Sequence, residues 1–414
     1  MSTFRLILAG AALFTALLSV SANAEDAKPA WDAIPTDTCP AGIEKPSMHC
    51  SATVAGAFDA SGRFWAAWSN DGRVYVNASD DEGQSFSAPV PINAAPQSVD
   101  NNGENRPKLA IGPEGEIYAT YIIRAKKKYT GDLYFSRSLD GGETFEAAHS
   151  LNDSETKNSM RFEALGVSPD GTVYVSWLDK RDLFLAKAEE RPYNGSAIYY
   201  GYSTDQGATF SANTLMAHHT CECCRVFMDM DNSGLPAVVW RHIFDTNTRD
   251  HAIQRFVAPD QPGEMGRLST DNWAVDSCPH HGPSISIDDD EVFHTTWFTN
   301  GTVREGIFYA RSVDGGETFA DIRPIGSGED QGEHPFVLAS GGVVYLLWKD
   351  FDGENTRLRL SVSSDHGKTW GPDQTVAMTT EGSDHPLMVV QSTQVFATWS
   401  TEADGFRLIA LAGM

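Results

Sequence analysis

Basic side chains are few in this sequence: 31 Lys plus Arg stand against 56 Asp plus Glu, a formal net charge of −25 and a sequence pI near 4.7. A chain so poor in cations has little to displace counterions from a phosphate backbone, which argues against nucleic acid and anionic membrane surfaces as partners. Long apolar runs are missing too. The one extended example, residues 6 to 20, falls short of the roughly 20 residues a helix needs to cross a bilayer, so no membrane span is expected. Linkers, low-complexity tracts and amphipathic helical patterns do not stand out, so nothing marks a string of separate domains. What is present is core material: 41% hydrophobic residues, with 10 Trp and 21 Phe, enough to exclude disorder over most of the 414 residues.

Arg5, the apolar run and then Ala22-Asn23-Ala24 follow the order of a secretory signal peptide. Residues 1–24 are therefore read as a leader cleaved after Ala24, and 25–414 as one mature domain that is periplasmic or secreted. Glu25 follows the cut, not the cysteine a lipid anchor would require. In an oxidising compartment six cysteines can form up to three disulfides, but Cys221, Cys223 and Cys224 are crowded for pure stapling.

One phrase recurs along the chain: an apolar strand, a Gly turn and a second strand ending in an aromatic residue, as in GVSPDGTVYVSW, which ends at Trp177. Related phrases end at Trp68, Tyr121, Trp177, Trp240, Trp297, Trp348 and Trp399, at spacings of 53, 56, 63, 57, 51 and 51 residues. Between them lies a second repeat: SDDEGQSF from Ser79, SLDGGETF from Ser138, STDQGATF from Ser203, SVDGGETF from Ser312 and SSDHGKTW from Ser363. All fit S-x-D-x-G-x-S/T-F/W, and in this the chain resembles the Asp-box, or BNR-repeat, β-propellers of the sialidase-like superfamily.

The resemblance implies an all-β single propeller of four-stranded blades. Seven phrases imply seven blades, with six the alternative count if one unit is irregular. The box suits a hairpin between the two outer strands: Asp caps backbone amides, Gly takes φ > 0, and the last aromatic packs between blades. The fourth unit carries PDQPGEMG from Pro259 in place of a box, and the last unit ends after its third strand. An N-terminal strand, around Trp31 to Ile34, is therefore expected to close the ring. The stretch from Asp179 to Asn194 reads as a protruding, partly helical loop.

In a propeller the first strands line a central channel and run the same way, so the residues leading into them converge on one mouth. In order these are His49 and Cys50; Arg106; Arg161; Cys221, Cys223 and Cys224; Cys278, His280 and His281; His334; and Asp384 with His385. Thiolate and imidazole are ligands of soft and borderline metals, so a transition-metal site is expected, copper ahead of zinc. Its nearest candidates are Cys223, Cys224, Cys278, His280 and His281, with His49, Cys50, His334 and His385 across the channel. Disulfides are the competing use of the same sulfurs: Cys39 with Cys50, and Cys221 or Cys223 with Cys278.

The resemblance to sialidases also implies a hydrolase reading, in which Arg106, Arg161 and Arg241 grip a sialic acid carboxylate and Glu163 and Asp179 supply acid–base chemistry. The family's Arg-Ile-Pro signature near the first blade is absent, and Asn105-Arg106-Pro107 is a faint echo of it. A third class is a binding module whose mouth takes a small ligand, a glycan or another exported protein. Fold kinship alone does not choose among them.

Overall fold

The computed structural model describes residues 30–154, 158–328 and 331–411, so the expected leader and its cleavage point lie outside the described residues. Among the described residues, twenty-seven strands form seven antiparallel sheets, six of four strands and one of three, each in simple sequence order. The blades span residues 54–91, 108–150, 160–220, 227–267, 284–324, 333–379 and 387–411. The first strands of successive blades pack side by side, and that of blade 7 returns to that of blade 1. The chain is a seven-bladed β-propeller.

Alternation along the second strands decides which side chains hold blades together. The aromatic that ends each phrase is fully buried: Trp68, Tyr121, Trp177, Trp240, Trp297, Trp348 and Trp399 are at most 1% exposed. Each fills the layer between neighbouring sheets, where a large ring contributes most to a core.

The five S-x-D-x-G-x-S/T-F/W segments connect the third and fourth strands of their blades, as expected. All five have one geometry. The Ser hydroxyl donates to the Asp carboxylate, the Gly N–H donates to that Ser oxygen, and the last Ser or Thr donates to the carboxylate through its N–H and its hydroxyl. The closing aromatics reach the next sheet: Phe210 meets Phe135 at 4.8 Å and Trp370 meets Tyr309 at 4.9 Å between ring centroids. Blade 4, without a box, turns more tightly, from Ala258 through Pro259 and Asp260 into Gln261–Arg267.

The stretch after Asp179 does contain a helix, α1, Arg181–Ala188. The expected closing strand is a correction. Residues 31–34 make a turn and no strand, and blade 7 keeps three strands among the described residues, with Gly405–Leu411 outermost. Trp31 is held elsewhere. Its Nε1 donates to Thr130 O at 3.1 Å and its ring lies under the guanidinium groups of Arg124 and Arg161, at 4.9 and 5.1 Å. Two cations over one indole fix this segment beside blades 2 and 3. The ring is closed by packing instead: the segment Met48–Cys50 lies against Gly405–Leu411, Phe58 packs on Phe396 at 5.2 Å, and Gln391 Nε2 donates to Gly62 O at 2.8 Å.

Candidate metal site at the channel mouth

The residues leading into the inner strands do meet. At the entry to blade 4, Cys221, Cys223 and Cys224 are 1%, 5% and 2% exposed, and their sulfurs lie within 4.8 Å of one another. The Cys221 sulfur is 3.8 Å from that of Cys223 and 4.0 Å from that of Cys224. Arg249 Nη1 donates to Cys221 at 3.3 Å. Hydrogen bonds from the other two thiols, together with Arg241 and Arg249, push the Cys221 thiol well below its ordinary pKa. Sharing with Cys221 pushes the Cys223 thiol up, and burial does the same to Cys224. Cys278 is exposed, and a hydrogen bond with Cys223 draws its pKa down. None of these four cysteines is bridged.

Next to the thiols stands a column of rings. His281 stacks on Phe298 at 4.2 Å and on His334 at 4.3 Å, and His334 stacks on His385 at 3.3 Å between centroids. These three histidines come from the entries to blades 5, 6 and 7. Burial lowers the pKa of each, that of His281 to about 4. Their Nδ1 atoms are buried without a hydrogen-bond partner.

Glu104, 2% exposed, ties the mouth together. One oxygen accepts from the backbone N–H groups of Arg225 at 2.8 Å and Gly282 at 3.0 Å. The other faces Arg225 Nη1 at 3.3 Å, His385 Nδ1 at 3.4 Å and His334 Nδ1 at 3.9 Å. Burial opposes its charge, but Arg225 and His385 outweigh that and hold its pKa at about 2. Two glycines permit the close approach: a Cβ on Gly282 would run into Arg225, and one on Gly103 into the face of the His385 ring.

The structure redistributes the expected ligands. Cys223, Cys224, His281, His334 and His385 are drawn into the mouth, and Cys278 reaches its edge. Cys50 is not a free ligand, since it is bonded to Cys39, the pairing that competed for it in the sequence. His49 lies in the short 3-10 helix Met48–Cys50, and neither it nor the exposed His280 joins a metal-competent group among the described residues. Cys221, omitted from the expected ligand set, is the centre of the thiol cluster. Glu104 and Arg225 also belong to the mouth, and no sequence motif marks them. The only signal for Glu104 was its place two residues before Arg106, in the segment leading into the inner strand of blade 2.

The arginines and Asp179 expected of a hydrolase are engaged by partners within the chain. Arg106 makes a two-pronged pair with Asp384 at 2.7 and 2.9 Å, both side chains buried. Arg161 is engaged by Asp100, with Nε at 3.0 Å from its carboxylate. Arg241 donates to three carbonyls, those of Arg249, His281 and Phe298. Asp179 accepts from Asn158, the Trp177 indole and Arg181, next to the start of α1. Glu163 is fully buried, its pKa raised by burial, with one oxygen on Thr120 and the other without a partner. The three guanidinium groups are thus occupied by partners within the chain.

Among the described residues no helix is long and apolar enough to cross a membrane. No protein-family model and no curated protein matches the chain. Solved structures do. An ulvan lyase, a polysaccharide lyase, superposes with a TM-score of 0.55 at 13% identity, over 92% of this chain and 94% of its own. A Hadza microbial sialidase gives 0.51 at 14%, over 84% and 76%. An α-L-arabinanase from Penicillium chrysogenum, in complex with arabinobiose, gives 0.50 at 11%, over 92% and 98%. At such identities the likeness is one of fold: the chain shares its propeller with sialidases, polysaccharide lyases and arabinanases.

Proposed function

We propose that this protein is an exported, sialidase-like propeller whose mouth binds a transition metal through Cys221, Cys223 and Cys224, copper ahead of zinc, for metal binding or redox work. The observation that carries this reading is the spacing of the three buried sulfurs. Two thiolates bonded to one ion at ~2.3 Å lie at most about 4.6 Å apart, and about 3.8 Å apart in a tetrahedron. The 3.8 and 4.0 Å separations at Cys221 meet that condition without rearrangement. Cys278, exposed at the edge, neighbours Cys223 and lies outside this set. Thiol–disulfide exchange is the rival use: Cys278 is exposed to a partner and neighbours Cys223, whereas the three clustered sulfurs are covered. Three thiolates favour soft ions such as Cu(I), with Zn²⁺ next.

The test is elemental analysis of protein purified under reducing conditions from the organism's own export compartment. About one copper or zinc ion per chain is expected, lost in C221S/C223S/C224S. Metal-free protein with its four thiols fully alkylatable would overturn the proposal.

A second reading, supported by the likeness to glycan-acting propellers, is glycan binding at the mouth. A cleft of about 390 Å³, lined by Asn101, Asn102, Asp384 and His385 among others, has room for a monosaccharide. Hydrolysis of a sialoside is not the expected form of that activity, because Arg106, Arg161 and Arg241 already have partners. A fluorogenic sialoside should remain intact. Turnover that disappears in Arg161→Ala would restore the hydrolase.

A further inference from the structure

We infer that the mouth holds a second metal centre, chemically distinct from the thiol cluster, in which Glu104, His334 and His385 bind a divalent first-row transition ion. The ligand atoms of this trio lie within 4.8 Å of one another. Two ligands bonded at about 2.1 Å to one ion lie no more than about 4.2 Å apart. The separations of 3.4 and 3.9 Å from Glu104 Oε1 to His385 Nδ1 and His334 Nδ1 fall inside that limit.

A buried imidazole nitrogen without a hydrogen bond is costly; His334 Nδ1 is in that position, and His385 Nδ1 has a long 3.4 Å approach from Glu104. One ion would satisfy both. The far side of His334 carries the support that metal-bound histidines have: its Nε2 faces Glu333 at 3.5 Å, and Glu333 is held by Lys349 at 3.1 Å. A carboxylate behind the ring fixes which nitrogen offers its lone pair. Glu104 is prepared in the same manner: two backbone N–H groups hold one oxygen, and the other, 3.3 Å from Arg225 Nη1, faces the rings.

The donor set selects the ion. Around the trio, Glu104, Glu333 and Asp384 are balanced by Arg106, Arg225 and Lys349, so little net negative charge remains to attract Ca²⁺ or Mg²⁺. Binding rests on imidazole lone pairs. Two imidazoles and one carboxylate suit Fe²⁺, Co²⁺, Ni²⁺ or Zn²⁺, whereas the neighbouring sulfurs favour Cu(I). The two sets would sort ions by softness, with Arg225, the residue after Cys224, bonded to Glu104 between them.

Cobalt titration separates the two centres. Reduced, metal-free C221S/C223S/C224S protein should bind about one Co²⁺ without a thiolate-to-cobalt charge-transfer band. Adding His385→Ala or His334→Ala should weaken that binding by at least about 100-fold, the upper end for losing even an outer partner of a metal. Circular dichroism and the unfolding midpoint establish that each variant is folded, and His385→Gln repeats the test if the alanine variant is not. A folded thiol-free protein that binds no cobalt, or binds it equally well without both histidines, overturns the inference. Wild-type protein that binds cobalt at the imidazoles with no charge-transfer band would refute the thiolate proposal and leave this one standing.

Discussion

In the box of blade 5, Asp314 takes all its partners from Ser312 and Thr318, within a run of seven residues. At the mouth, Glu104 meets residues 225, 282, 334 and 385, drawn from the entries to blades 4, 5, 6 and 7. The first arrangement is local, solvated and repeated five times. The second is buried and occurs once. A carboxylate that closes on its own turn stabilises a hairpin and carries no further consequence. One shared among blades holds their relative positions, and the groups it gathers are the ones with chemistry to offer.

That contrast can be broken from its strong end first. Arg106→Ala should cost roughly 3–5 kcal/mol, because it strands buried Asp384 without its cation. Urea unfolding measures this, and a loss below about 1 kcal/mol would mean that the mouth is as forgiving as the rim. Trp240→Ala, at the end of a blade-4 strand, should cost about 3–5 kcal/mol through the cavity it leaves. Because Trp240 packs in the same cluster as Cys221, Cys223 and Cys224, its loss should also weaken metal binding. The matched change Trp177→Ala, whose cluster holds no thiol, should destabilise comparably and leave metal binding intact.

The rim answers to acid. Hydrogen bonds from the box hydroxyls and amides hold the carboxyls of Asp81, Asp140, Asp205 and Asp314 at about 2, below the ordinary 3.8. A depressed folded-state pKa contributes stability that is present above the unfolded value and lost as pH falls through the folded one. Unfolding midpoints should therefore drop between about pH 4 and pH 2. Asp314→Asn should flatten this acid limb slightly while changing the midpoint at pH 7 least of all the variants. A limb unaffected by replacing several box aspartates would assign acid sensitivity to the mouth instead.

Legibility in the sequence followed the same division. Regular spacing of Trp68 through Trp399 announced seven blades, and the boxes announced where the outer hairpins turn, because both are local patterns that recur. Convergence of Cys223, Cys224, His281, His334 and His385 could be read from one topological rule applied blade by blade. Glu104 could not be picked out, since its partners lie 121 to 281 residues away and leave no mark near it. The sequence misleads at Trp31 for a related reason: an unfilled edge in blade 7 invites a strand, while the Arg124 and Arg161 cations that claim the indole belong to blades 2 and 3. Cys50 had two uses open to it, and only proximity to Cys39 separates them.

Every neighbouring pair of blades but one is joined by the chain as well as by packing. The exception is the seam between blades 7 and 1, where Phe396 meets Phe58 and Gln391 reaches Gly62. Asp384 and His385 line the 390 Å³ cleft together with residues 36–40 and 49–53, so this cleft opens on the same seam. Whatever enters the cleft thus touches both sides of that joint and would add a fastener where the chain supplies none between successive blades.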